Sequence, residues 1–142
     1  MSTALLQSAS PSPASARPAR SVIAGRVITG LALAFMTLDV TMKLARVKQA
    51  IEGTTQLGFS SDIVLPLGLI QLACLILYVI PRTAPFGATL LTAYLGGAVA
   101  AHVRLGNPVF THVLFPVYIA VLLWGGLYLR DARVRALLVR IR

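Results

Sequence analysis

Four apolar runs, each close to the length that crosses a lipid bilayer, set what this chain can become. They fall at about residues 22–45, 63–80, 86–103 and 109–129. At 1.5 Å per residue, about 20 helical residues span a hydrocarbon core of ~30 Å. Backbone groups in lipid must bond within their own segment, so each run is predicted as a helix. The expected fold is an all-α bundle of four transmembrane helices. Composition agrees: 57% of residues are hydrophobic and 12% are charged, against about 25% charged in a typical soluble domain.

The charged residues are distributed as a membrane protein distributes them. Thirteen Lys and Arg oppose four Asp and Glu, a formal net charge of +9. The cations sit at the chain ends and at the ends of apolar runs, without interleaved aromatics, which argues against nucleic acid as a partner. The single cysteine, Cys74, lies inside an apolar run, so no disulfide can form within the chain.

Residues 1–21 are rich in Ser, Ala and Pro and are expected to form a disordered tail ahead of an uncleaved first helix. Residues 47–61 read as the longest connection, with Ser60 or Ser61 as an N-cap. Pro66 falls early in the second run, where proline is tolerated, and Pro81 ends it. Arg82, Thr83 and Pro85 form a tight turn. Asn107 and Pro108 resemble a cap followed by proline at the first helical position, and Pro116, further in, predicts a kink. Tyr78, Trp124 and Tyr128 read as interfacial belt residues. In residues 130–142, Val134, Leu137, Leu138 and Ile141 form an apolar stripe flanked by arginines, as in a basic helix lying on anionic lipid.

Counting cations gives a topology. Arg17, Arg20, Arg26, Arg82 and the arginines of residues 130–142 belong to one side; Arg46, Lys48 and Arg104 belong to the other. Both termini are thus expected in the cytoplasm. Asp39, Lys43, His102, Arg104 and His112 then gather toward the outer face. Asp39 and Lys43, four apart, share a helix face and either form a functional pair or simply neutralise each other. His102 and His112 could titrate, bond a carbonyl or ligate a metal, or only bond backbone and water; their spacing matches no metal motif. Arg104 is an anchor or an anion site, and Gln71 and Tyr94 either link helices or contact a ligand. In the third run, Ala93, Gly97 and Ala101, with Gly96 and Ala100 alongside, predict close approach of a neighbouring helix. No nucleophile elbow, phosphate loop or metal cluster is present.

The stretch LYVIPRTAPFGATLLTAYLGGAVAAHVR (Leu77 to Arg104), the run PVYIAVLLWGGLYLRDARVRALL (Pro116 to Leu138) and the Asp39–Lys43 placement resemble the DoxX-like family of small four-helix membrane proteins. The resemblance covers nearly everything after residue 21. It implies a multi-pass protein of the bacterial inner membrane. The family is named for a subunit associated with quinol or thiosulfate–quinone oxidoreduction, so quinone is the implied cofactor and a membrane oxidoreductase the implied partner. It carries over no catalytic residue, and a chain without CxxC does not suit a thiol mechanism. The expected role is an accessory redox subunit without catalysis of its own. The alternatives are a small-solute or lipid permease working as a homo-oligomer, and a structural partner of another membrane protein.

Overall fold

A computed structural model describes residues 19–139. Its helices are α1 (Ala19–Leu44), α2 (Lys48–Gln56), α3 (Val64–Val79), α4 (Ala84–Arg104), α5 (Phe115–Arg130) and α6 (Ala132–Val139). A 3₁₀ turn, Ser61–Ile63, leads into α3, and a π-helical turn, Val109–Val113, precedes α5. Among the described residues four helical spans are long and apolar enough to cross a membrane: Arg20–Leu44, Ser61–Val79, Ala84–Arg104 and Val109–Arg130. Their mean hydropathy runs from 1.4 to 2.1. The chain is a multi-pass membrane protein, and its bounds agree with the four apolar runs to within a few residues. Of the expected tail, residues 1–18 lie outside the described residues, while 19–21 belong to α1.

The spanning helices form a ring in the order α1, α3, α4, α5, closed by contact of α5 with α1. Glycines make the closest joints. A Cβ on Gly25 would stand 2.7 Å from the Leu129 Cβ, and one on Gly126 would stand 3.0 Å from the Thr29 amide nitrogen. One on Gly87 would lie 2.6 Å from the Tyr78 Cα. Small residues therefore bring α1 onto α5 and α3 onto α4, as packing in lipid favours. These are not the residues the sequence pointed to. A Cβ on Gly96 or Gly97 would meet nothing within 4 Å. The small stripe of α4 leaves space where close packing was expected.

Across the ring, Tyr78 fills the centre of the end where α1 begins and α5 ends. It is fully buried, and its hydroxyl donates to the Leu123 carbonyl at 2.7 Å. It is a core residue and not a belt residue, with Met36, Leu91, Leu123 and Leu127 around the same core. Trp124 likewise turns inward enough for its indole N–H to donate to Thr92 Oγ1 at 2.9 Å.

Three helices end alike. Arg46 (φ 50°), Gly58 (φ 82°) and Gly106 (φ 66°) take the left-handed conformation that closes a helix. The amides that follow them, of Val47, Phe59 and Asn107, bond back to the carbonyls of Met42, Thr54 and His102. Gly58 and Gly106 meet this need without the Cβ strain that Arg46 carries. The connection expected at residues 47–61 thus contains α2, a polar helix with Thr54 buried. Ser60 caps the 3₁₀ turn by accepting from the Asp62 amide at 3.3 Å. Pro116 lies in the first turn of α5, so no kink forms there; the break falls before it, at the π-helical turn. Pro108 precedes that turn and does not begin an α-helix.

At the C-terminus, Asp131 breaks α5 and accepts from the Arg133 amide at 2.8 Å, capping α6. Arg135 donates to the carbonyls of Leu129 and Tyr128 at the end of α5. Val134 is buried in the bundle core. The start of the expected interfacial stripe is thus folded onto the protein, and the side chains of Leu137, Leu138 and Ile141 lie outside the described residues.

Candidate functional site

At the opposite end, where α1 and α4 finish, the ring opens into a cavity of about 580 Å³ between α1 and α4. Its walls are mainly apolar: Phe35, Met36 and Met42 from α1, Leu95 and Ala98 from α4, and Ile119 from α5. Gly97 and Ala93 widen it because they carry almost no side chain. Helix α2 lies over the outer end, with Ala50, Gly53 and Thr54 facing the space.

One polar cluster projects into this apolar room. Lys43 donates to Asp39 Oδ2 on the preceding turn of α1 and to Gln71 Oε1 on α3 at 2.9 Å. The Gln71 amide donates to the same carboxylate oxygen at 2.8 Å, and at 3.3 Å to the Met36 carbonyl. Gln71 is fully buried, so a buried amide with every partner present orients both charges. Lys43 also stands 5.6 Å from the Tyr94 ring centroid, within cation–π range. The Lys43 side chain is 14% exposed and that of Asp39 37%. These bonds take two of the three ammonium donors, and Tyr94 stands beside the third. On the carboxylate, Oδ2 takes both bonds, which leaves Oδ1 to accept. The cluster is close to neutral and can both donate to and accept from a ligand.

His102 lines the same cavity one helical face away. Asn107 Nδ2 bonds its Nδ1 at 2.9 Å. An amide nitrogen only donates, so Nδ1 accepts and the ring proton sits at Nε2. This contact takes up the side chain that the sequence suggested as a helix cap. His112 lies outside the lining, with its ring centroid 5.7 Å from that of His102, edge to face, and its Nδ1 2.8 Å from Thr111 Oγ1. Arg104 faces away: its Nη2 donates to the Leu57 carbonyl at 2.8 Å, fastening the end of α2. Of the seven residues chosen from sequence, Asp39, Lys43, Tyr94 and His102 line the cavity, and Gln71 braces Asp39 and Lys43 from behind. Arg104 and His112 stand outside it. No group of three or more His, Cys, Asp or Glu able to hold a metal occurs among the described residues.

Sequence reasoning missed Phe35, Phe115 and the α2 roof. Phe35 and Phe115 face each other across the cavity wall with ring centroids 5.3 Å apart. For α2 a signal existed: Ala50, Ile51 and Thr54 recur at helical spacing within KQAIEGTTQ.

A model of the DoxX-like family matches residues 27–126, which hold all four spans in whole or in large part as well as the cavity. The chain belongs to the DoxX-like family. Neither a curated protein nor a solved structure matches it. Within this DoxX-like protein, the matched region takes in Asp39, Lys43, Gln71, Tyr94 and His102 together.

Proposed function

We propose that this DoxX-like protein is an accessory subunit of a membrane redox system and that its cavity receives the head group of a quinone. The observation that carries this reading is an apolar cavity between helices long and apolar enough to span a membrane, with one donor–acceptor cluster projecting into it. A quinone head is flat, mostly apolar and bears carbonyl oxygens. The third Lys43 N–H, or His102 Nε2–H, would donate to one such oxygen. In the reduced form a quinol hydroxyl would donate to Asp39 Oδ1. Pairing with Lys43 keeps the carboxylate near neutrality in a place where a lone charge is expensive. The cluster binds and orients; it supplies no electron carrier, so a partner oxidoreductase would do the electron transfer.

The same reading takes the membrane to be a bacterial inner membrane with both termini in the cytoplasm. Among the described residues the end where α1 begins and α5 stops carries Arg20, Arg26, Arg82, Arg130, Arg133 and Arg135 against Asp131 alone. The cavity end carries Lys43, Arg46, Lys48 and Arg104 against Asp39, Glu52 and Asp62. That asymmetry supports the orientation.

The test is extraction of quinone from protein purified in native lipid, with co-purifying proteins identified in the same sample. Wild type should retain quinone and an oxidoreductase subunit, and the Asp39→Asn, His102→Ala double variant should lose the quinone. Wild type retaining none, with the double variant leaving quinol-linked respiration unchanged, would refute the proposal.

A further inference from the structure

We propose that the seam between α1 and α5 at Phe35 and Phe115 is the cavity's port to the bilayer, through which the apolar tail of a membrane-borne ligand extends. This deepens the reading above and rests on its view that the ligand lives in lipid. Phe35 and Phe115 line the cavity and are 39% and 42% exposed. Leu31 and Leu38, one turn to either side of Phe35 on the same face of α1, and Tyr118, one turn from Phe115 on α5, are also exposed, so both rings stand where the cavity meets the outer surface of the bundle. Phe35 precedes Asp39 by one turn, about 6 Å deeper along the helix toward the bilayer centre. A ligand with its head at Lys43 and Asp39 would have its tail running past these rings, in the direction lipid chains run.

The two sides of the cavity are closed differently. On the water side stands α2, hydrogen-bonded along its length and fastened where Arg104 grips Leu57. On the other side two phenyl rings, 5.3 Å apart and edge to face, meet across the seam. Elsewhere the same two helices touch nearly backbone to backbone, at Gly25 and Gly126. Rings can turn aside at the cost of a rotamer change, whereas the glycine joint cannot part without separating the helices. The port adds little affinity, because a tail gains nothing by leaving lipid for protein. Its role is to let the head seat while the tail stays in the membrane.

Cross-linking tests it. Cys74 is the only cysteine, so Phe35→Cys with Phe115→Cys on a Cys74→Ala background gives two thiols that a short bifunctional methanethiosulfonate can bridge. Binding is measured in nanodiscs with a decyl-tailed benzoquinone and with benzoquinone itself, each at equal concentration in the membrane. The bridged protein should bind the tailed quinone about tenfold more weakly, a shift of about 1.4 kcal/mol, and the tail-less one unchanged; reduction should restore the first. Equal binding of the tailed quinone before and after bridging overturns the port. A second measurement is independent of quinone. With Phe115→Trp on a Trp124→Phe background, brominated acyl chains should quench the introduced indole and aqueous iodide should not. The reverse pattern overturns the port. If wild type binds neither quinone, the quinone reading fails by itself, and the quenching result alone decides whether the seam opens to lipid.

Discussion

Replacing Gln71 with leucine removes the brace of the polar cluster while nearly preserving its volume. The side chain is fully buried and makes two bonds to charged partners, at 2.9 Å to Lys43 and 2.8 Å to Asp39. Hydrogen bonds to charged groups contribute about 1.5–3 kcal/mol each in soluble proteins. Interhelical ones in membranes average about 0.6 kcal/mol, because the separated helices also find partners. Here Lys43 and Asp39 keep each other after the change, which limits the loss. Two bonds at roughly 1 kcal/mol each, between those limits, give a destabilisation of about 2 kcal/mol for Gln71→Leu. Most of it should vanish once the charges are gone: on an Asp39→Leu, Lys43→Met background the same change should cost less than about 0.5 kcal/mol, a coupling of about 1.5. Steric trapping in lipid bicelles measures all four members of the cycle. Equal losses in both backgrounds would show that Gln71 acts by packing alone, and would remove the basis for treating the three residues as one unit.

Two glycine substitutions should move stability in opposite directions. Gly126→Ala drives a methyl against the Thr29 backbone and should destabilise by about 2 kcal/mol, whereas Gly97→Ala points into open space and should stabilise α4 by about 1 kcal/mol; thermal unfolding of reconstituted protein gives both signs. Tyr78→Phe removes the bond to Leu123 and should lower stability by about 1 kcal/mol in the same assay. Arg104→Met frees the Leu57 carbonyl, so hydrogen exchange should quicken across residues 54–59 and remain unchanged in the core of α3.

The spans were legible because lipid imposes length and apolarity on any helix that crosses it. The Asp39–Lys43 pair was legible for a local reason, its spacing on one helix. The third member, Gln71, lies 28 residues from Lys43; the chain marks it as polar within an apolar run but not as the partner of that pair. Small residues were misread in a specific way. Glycine permits close approach but does not say whether a neighbour comes. At Gly25, Gly87 and Gly126 one does; at Gly97 the space is a cavity. Pro116 shows a similar limit. Proline is compatible with a kink or with a first turn, and the π-helical turn ahead of it decided the matter. Phe35 and Phe115 carried no signal at all, since an apolar ring in an apolar run looks the same whether it faces lipid, core or cavity.

The closure of the ring by α1 and α5 bears on how the protein is made. Of the four spans, α1 is made before the other three yet has its closest glycine joint with α5, so it must stand in the membrane while α3 and α4 are still being added. During that wait it carries an aspartate and a lysine without Gln71. Because the two lie on successive turns of one helix, each neutralises the other before any neighbour arrives. The segment can therefore reside in lipid as an electrically balanced span. Moving either charge to another helix would leave α1 with a bare ion until that helix appeared. An ion pair written within one element thus makes the first step of assembly independent of the later ones.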